Sequence, residues 1–387
     1  MLTMRQRIAI TDVIRKRYRK SNKKKKTEIL HEFVSTTGYN RSYARRVLGS
    51  LKKLGRKRKY PSRKRTYDAE VFYALRKVWI VNDNICGQRL KPQIAETIRK
   101  LELFKEYQFK KRIKQKLVTV GSATIDRMLS ATKRGYQLKG RSTTKPGTLL
   151  RGTIAIRTFA DWKDEEKKPG FFETDLVAFC GESVRGDYVN GLNLTDVFIG
   201  WVLLEAVMGK GQFRVHKAID QTRQRLPYQM LGLDPDNGTE FINWLLKRYC
   251  EKHAIAFTRI RPNRKNDNCY VEQKNYTVLR RFLGYARYDT NQQLMIIKEL
   301  VKLIEVYVNF FQPMMKLIKK ERIGSKVKKQ YDTAKTPYQR LLGSEVLNEE
   351  QKQKLYEYYE TLNPAALLRQ IRTLQTKLYK TLRYINS

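Results

Sequence analysis

Three acidic residues draw attention by where they sit in the chain. Asp175 is placed in the middle of an aromatic and aliphatic run, Phe171 to Phe179, whose pattern predicts a buried strand. Asp236 follows a second short apolar run, Met230 to Leu233, in the acidic tip Asp234-Pro235-Asp236-Asn237-Gly238-Thr239-Glu240-Phe241. Glu272 comes after 35 intervening residues, in the first turn of a helix expected to open at about Tyr270. A carboxylate inside a strand is costly unless a cation or a metal compensates it. Hard divalent cations favour carboxylate oxygen and fill the rest of their shell with water and substrate. Two such ions about 4 Å apart activate a water or hydroxyl and stabilise charge on a phosphorus centre, so three gathered carboxylates suit phosphodiester cleavage and transfer.

Other acids nearby have simpler roles. Asp234 can pair with a loop arginine, Asp267 can cap the last helix, and Glu240 is a first-turn acid of the kind a helix N-terminus favours. The same dipole argument applies to Glu272, so its weight comes from the combination of three. Cys250 and His253 lack further ligands nearby and read as structural residues.

Charge narrows the partner. The 387 residues include 81 Lys and Arg against 37 Asp and Glu, a formal charge of +44, which self-repels unless a polyanion is bound. Basic residues are interleaved with aromatics throughout, unlike a juxtamembrane basic cluster, so nucleic acid is favoured over a membrane surface. The longest apolar stretch, Val197 to Met208, is interrupted by Glu205 and is too short to cross a bilayer. Cys86, Cys180, Cys250 and Cys269 form no CxxC pair, which argues against a disulfide framework or a zinc ribbon. No signal peptide precedes the first basic cluster, and a cytoplasmic, nucleoid-associated bacterial protein is expected.

The elements that must position the acids follow from periodicity. After the Asp175 strand, Tyr188 to Thr195 and Phe198 to Ala206 continue as strands of an antiparallel meander. A helix over Gln212 to Arg225 then crosses to a parallel strand ending at the Asp236 tip. Acids at the carboxyl end of such a strand lie where α/β layers gather ligands. A helix over 240–252, a strand from Ile255 to Thr258 and the basic loop Arg259 to Asn268 lead to the helix of Glu272.

Residues 1 to 65 hold 23 Lys or Arg and three acids. Ile29, Leu30, Phe33 and Val34, a break at Thr37-Gly38 and a helix capped at Asn40 to Ser42 predict a helix-turn-helix. Arg41, Tyr43, Arg45 and Arg46 on its second helix are candidates for DNA contact. Val71, Leu75, Val78, Ile94, Ile98 and Leu101 predict a second helical module, with Ser122 capping its last helix. After Arg287, a long helix over Leu294 to Phe310 precedes a basic stretch. In it Lys316, Lys319, Lys320, Arg322, Lys326, Lys328 and Lys329 alternate with Ile318, Ile323, Val327 and Tyr331, which suits a small strand-containing DNA-binding element as well as a solvated basic loop. Leu367, Ile371, Leu374 and Leu378, after Asn363-Pro364, could form a dimer seam or pack within the chain.

The tracts Glu173-Thr174-Asp175-Leu176-Val177, Asp236 to Phe241, and Arg261-Pro262 with Asn266 to Asn275 resemble the three motifs of DDE-type transposases and integrases. That group has a retroviral-integrase-like, ribonuclease H-like catalytic core and includes bacterial insertion-sequence transposases. The resemblance covers about Phe171 to Leu283. It implies a mixed five-stranded sheet, two Mg2+ or Mn2+ ions, and Asp175, Asp236 and Glu272 as catalytic and metal-binding residues. Asp175 would bridge both ions, Asp236 would hold one and Glu272 the other. Arg261, Arg264, Lys265, Lys274, Arg280 and Arg281 are further candidates for DNA contact. The seventh position after Glu272, often basic in related transposases, is Leu279 here. The His-His-Cys-Cys zinc set of retroviral integrases is missing, since the histidines are His31, His216 and His253.

The expected organisation is multidomain. A basic helix-turn-helix DNA-binding domain over 1–66 and a second all-α DNA-binding module over 67–133 precede a linker over 134–168, an α/β ribonuclease H-like core over 169–290, and a C-terminal helical and basic region for DNA binding or oligomerisation over 291–387. The expected function is a transposase that binds the terminal inverted repeats of a mobile element, as a homodimer or larger assembly on double-stranded DNA, and carries out nicking and strand transfer without a membrane partner. A silent DNA-binding regulator and a ribonuclease H-type nuclease without joining activity are the alternatives.

Overall fold

A computed structural model describes residues 2–50, 66–133, 155–156, 168–236, 238–259, 269–323 and 325–383. The expected connector Lys52 to Arg65 and the polar stretch from Arg134 to Gly152 lie outside the described residues. The chain divides into two compact units, Met1–Thr66 and Tyr67–Ser387.

Among its described residues the first unit holds three helices, α1 (Met4–Lys20), α2 (Lys23–Thr37) and α3 (Arg41–Gly49). Thr3, Asn22 and Asn40 cap their starts by accepting backbone N–H bonds. Gly38 ends α2 at φ 67°, a left-handed turn a side chain would oppose. Leu30, Phe33, Ala44 and Leu48 form the small core.

The second unit begins with α4 (Ala69–Val81), α5 (Gly87–Leu90), α6 (Ile94–Leu103), α7 (Lys111–Thr119) and α8 (Ser122–Lys133). Apolar residues at three- and four-residue spacing bury one face of each, with Leu75, Val78, Trp79, Ile94, Leu117 and Ile125 at the centre.

The sheet of this unit contains β1 (Ala155–Ile156), β2 (Phe171–Ala178), β3 (Val189–Asp196), β4 (Val202–Met208), β5 (Gly232–Pro235) and β6 (Ala256–Arg259), in the order β1-β6-β5-β2-β3-β4. β2, β3 and β4 pair antiparallel, whereas β5 pairs parallel to β2 and to β6. The expected mixed sheet of five strands is present and gains the two-residue β1 at its edge, inside the segment read as linker. β4 starts at Val202, later than the apolar pattern suggested, because Asp196 accepts the N–H groups of Phe198 and Ile199 and folds that stretch into a turn. The connections are α9 (Gln212–Gln224), between β4 and β5, and α10 (Trp244–Lys252), between β5 and β6.

Beyond β6 come α11 (Cys269–Lys274), a π-helical turn (Asn275–Arg280) and α12 (Arg281–Leu283), then α13 (Asn291–Phe311). α13 closes the open edge of β4: Asn309 and Glu305 accept the Val202 and Leu204 N–H groups at 2.8 and 2.7 Å. An edge strand satisfied this way offers no template for another chain. β7 (Leu317–Ile323) and β8 (Lys326–Tyr331) form a separate two-stranded ribbon, followed by α14 (Pro337–Leu342), α15 (Glu349–Thr361) and α16 (Pro364–Arg383). α16 packs along α13, with Leu368, Ile371, Leu374 and Leu378 buried in the main core, so this apolar stripe is used within the chain.

Candidate active site

The strand register places two of the acids side by side. β2 and β5 run parallel with Glu173 opposite Asp234 and Thr174 opposite Pro235. The next residues are Asp175, still within β2, and Asp236, just past the end of β5. β5 ends at Pro235 because proline offers no N–H to extend the ladder. Asp236 then turns out of the sheet, with its Oδ1 accepting the Gly238 N–H at 2.9 Å. Gly238 fits because a Cβ there would lie 2.9 Å from that oxygen and 2.7 Å from the Glu240 carboxylate.

Glu272 arrives from the helix lying over the same sheet face. Glu173 and Asp175 alternate onto that face of β2, and the buried Glu173 carboxylate accepts the Val271 N–H at 2.9 Å. It thereby satisfies one of the unpaired donors in the first turn of α11. Asn193, opposite Asp175 on β3, donates to the Val271 carbonyl at 3.3 Å and to the Asn275 side-chain oxygen at 2.8 Å. Asn275 in turn donates to Asp175 Oδ2 at 2.6 Å, while Asp175 Oδ1 accepts the Leu176 N–H. Close approach of helix and sheet depends on Gly191, where a Cβ would lie 3.1 Å from both Leu279 and Phe179. Leu279, the residue in the position often basic in related transposases, is fully buried there.

The electrostatics agree with this proximity. Burial pushes the Asp175 carboxyl up to about 7; the negative charges of Asp236 and, more weakly, Glu272 add to the effect. Burial also raises Asp236, opposed by its Gly238 N–H bond and reinforced by Glu240. Glu240 itself lies 3.6 Å from Lys210. Glu272 is exposed in the first turn of α11.

Chemically, the set fits a hard divalent cation. Two neighbouring carboxylates that resist ionisation without a cation, and a third within electrostatic reach, are the donors Mg2+ or Mn2+ selects. In the arrangement seen, among the described residues, no three His, Cys, Asp or Glu side chains already converge on one metal position.

The other expected contacts divide sharply. Arg41, Tyr43, Arg45 and Arg46 are exposed on α3 of the first unit; Arg41 lies 2.7 Å from His31 Nε2, and Arg46 stacks over the Tyr43 ring. Arg261, Arg264 and Lys265 lie outside the described residues, as does Asp267. Lys274 is buried, 7 % exposed, and its ammonium is pushed down to about 7 by burial, with Arg89 and Arg340 adding repulsion. Arg280 is half-buried over the Phe179 and Tyr285 rings and donates to the Ala178 carbonyl at 2.8 Å. Arg281 is held by the Asp83 carboxylate and carbonyl of the helical module. Of these three candidates for DNA contact, Lys274 is buried, Arg280 is half-buried and Arg281 keeps an exposed side chain while paired with Asp83.

Sequence reasoning assigned no role to Glu173, Asn193 or Asn275. A signal existed: Asn275 stands three residues after Glu272, on the same helical face, and Asn193 is a polar residue between Leu192 and Leu194.

No protein-family model matches the chain. Among solved structures, the catalytic core domain of BIV integrase is similar with a TM-score of 0.31 and 20% identity, over 46% of this chain and 95% of that one. The HTLV-2 integrase catalytic core domain in complex with magnesium is similar with a TM-score of 0.29 and 16% identity, over 38% of this chain and 91% of that one. Among curated proteins, the uncharacterized protein y4rM of Sinorhizobium fredii is 36% identical over 343 residues, spanning 88% of this chain and 96% of the relative. The chain thus belongs to the same protein family as y4rM of Sinorhizobium fredii.

Proposed function

We propose that the protein is a DDE-type transposase or integrase that binds the terminal inverted repeats of a mobile element, nicks them and joins the resulting 3'-hydroxyls to target DNA. The observation that carries this reading is the neighbourhood of Asp175, within β2, and Asp236, just past the end of the adjacent parallel strand β5, under the helix of Glu272. The strand order, an antiparallel meander extended by two parallel strands, supports a ribonuclease H-like core. The net charge of +44 supports DNA as the partner.

Asp175, Asp236 and Glu272 would hold Mg2+ or Mn2+, with Asp175 shared between two ions. When bound, the ions supply Lewis-acid activation and charge stabilisation at the phosphate. The chain's own contribution is positioning. Asn275 fixes the rotation of the Asp175 carboxyl, Glu173 and Asn193 fix the start of α11, and Gly238 holds the Asp236 turn. Arg41, Tyr43, Arg45 and Arg46 would contact DNA as part of a helix-turn-helix, and Arg261, Arg264 and Lys265 would do so beside the acids. Assembly on DNA as a homodimer or larger oligomer belongs to the same reading.

The test is Mg2+-dependent nicking of duplexes carrying the ends of the element beside the gene. Glu272→Gln is expected to abolish nicking and leave duplex affinity within about twofold, since it removes a ligand and no phosphate contact. Retained nicking in that variant would refute the assignment. The lack of a converged three-ligand cluster among the described residues is what favours a second reading, a silent DNA-binding regulator. Binding of the ends with no nicking by the unaltered protein in either Mg2+ or Mn2+ would select it. Nicking without strand-transfer products would instead select a ribonuclease H-type nuclease.

A further inference from the structure

The β7–β8 ribbon pairs with no other described strand, and its two strands are joined only to each other by ladder hydrogen bonds. Two-stranded sheets are marginal in water without a packed face. Yet Leu317, Ile318, Ile323, Val327 and Tyr331 remain 46 to 66 % exposed. The root, in contrast, is fixed. Asp332 accepts the Lys316 N–H at 2.6 Å and pairs with Arg340 at 2.8 Å, and Met314 bridges to Lys335. The ribbon is therefore a held arm with bare faces.

Charge distinguishes what could cover it. Lys319, Arg322, Lys328 and Lys329 are exposed, while the ribbon's one acid, Glu321, is tied to Lys319 at 2.6 Å and stands opposite Lys328. A second copy of the ribbon would bring like charges together around the apolar contact. Beside its root lies a cleft of about 650 Å³, lined on one side by Gln88, Lys91 and Ser122 of the helical module and on the other by Lys329, Gln330 and Tyr331. Amide, hydroxyl and ammonium groups in that cleft are donors of the type that hold phosphate oxygens.

We propose that the β7–β8 ribbon is a DNA-docking arm that inserts into a groove of duplex DNA and seats the adjoining phosphates in the cleft between β8 and α5. The major groove admits a two-stranded β-ribbon. Exposed Ile323 and Val327 would then meet base methyl groups and sugars, while Lys328 and Lys329 meet the backbone. This inference rests on DNA being the substrate; it adds where on the chain the duplex is held.

The experiment compares the full chain with Lys328→Gln plus Lys329→Gln for duplex affinity by fluorescence anisotropy over a salt series. Loss of two phosphate contacts is expected to flatten the slope of log affinity against log salt by about 1.8 and to weaken binding about 30-fold near ~0.15 M salt. Ile323→Ser plus Val327→Ser is expected to weaken duplex binding with the slope kept, and to leave the sedimentation mass of the free protein unchanged. Unaltered affinity and slope in the lysine variant, with the unaltered protein binding DNA normally, would overturn the docking arm and leave the enzyme assignment standing. A lower mass in the serine variant with unchanged DNA affinity would make the ribbon a protein interface and also overturn the proposal. No binding of duplex by the unaltered protein at any salt would remove both.

Discussion

Asn275 donates its side-chain amide to Asp175 Oδ2 at 2.6 Å, joining the helix of Glu272 to the strand of the central acid. It does so from the first residue of a π-helical turn, an irregularity often found at functional sites. The same Asn275 accepts from Asn193, so its amide orientation is fixed by both neighbours.

Removing that bond frees the Asp175 carboxyl to rotate. A hydrogen bond to a charged group contributes about 1.5–3 kcal/mol, so Asn275→Ala is expected to slow Mg2+-dependent nicking by roughly 10- to 100-fold. Asn275→Asp would place another acid against Asp175 and move the pH-rate profile to higher pH. Steady-state nicking rates across pH, with both variants folded by circular dichroism, test this.

Glu173 acts on the fold before it acts on chemistry. Its buried carboxylate is the acceptor for the Val271 N–H, and Glu173→Ala leaves that donor without this partner. The expected cost is about 1–3 kcal/mol in thermal or urea unfolding. Glu173→Gln keeps an acceptor oxygen and is expected to recover most of it; an equal loss in both variants would show that the negative charge, not the acceptor, matters.

The two central acids link stability to pH. Burial raises the folded-state pKa of Asp175 and Asp236 above the ordinary carboxylate value near 4, with repulsion from Asp236 adding at Asp175 and from Glu240 at Asp236. Between that value and about 7 the folded state binds more protons than the unfolded state. Stability of the metal-free protein is therefore greatest at the acid end of this window and declines as pH rises through it. Melting temperatures measured in chelator should fall across the window, fall less in Asp175→Asn, and recover when Mg2+ is added at the upper end.

Gly191 is a packing requirement. A Cβ there would press on Leu279 and Phe179 at 3.1 Å, so Gly191→Val is expected to destabilise by about 1–3 kcal/mol through overpacking. Pairing it with Leu279→Ala should restore part of the loss in a double-mutant cycle, because the two changes share one space.

Much of the core was legible along the chain because it is local. The β2 run, the α9 crossover and the apolar run before the Asp236 tip each show in a few residues of periodicity, and strand boundaries moved chiefly where a side chain captured the backbone, as Asp196 does before β4. The acids were found because a carboxylate in an apolar strand is conspicuous without knowledge of its neighbours. The fate of the basic residues was not legible: sequence marks Lys274, Arg280 and Arg281 as cations, and nothing local says whether a cation faces solvent or another segment of the same chain.

Sequence by itself determined the composition of the candidate site, the polyanion-seeking charge and the order of strands and helices, since these depend on residue type and short spacing. Tertiary structure decided that Asp236 comes close enough to Asp175 for its charge to act on it, that Glu173, Asn193 and Asn275 hold α11 over them, and that Asp83 takes Arg281. Those relations join residues from tens to about two hundred positions apart. They exist only once the parallel register is set and the helix is packed on the sheet, because a hydrogen bond or an ion pair depends on distance in space and not along the chain.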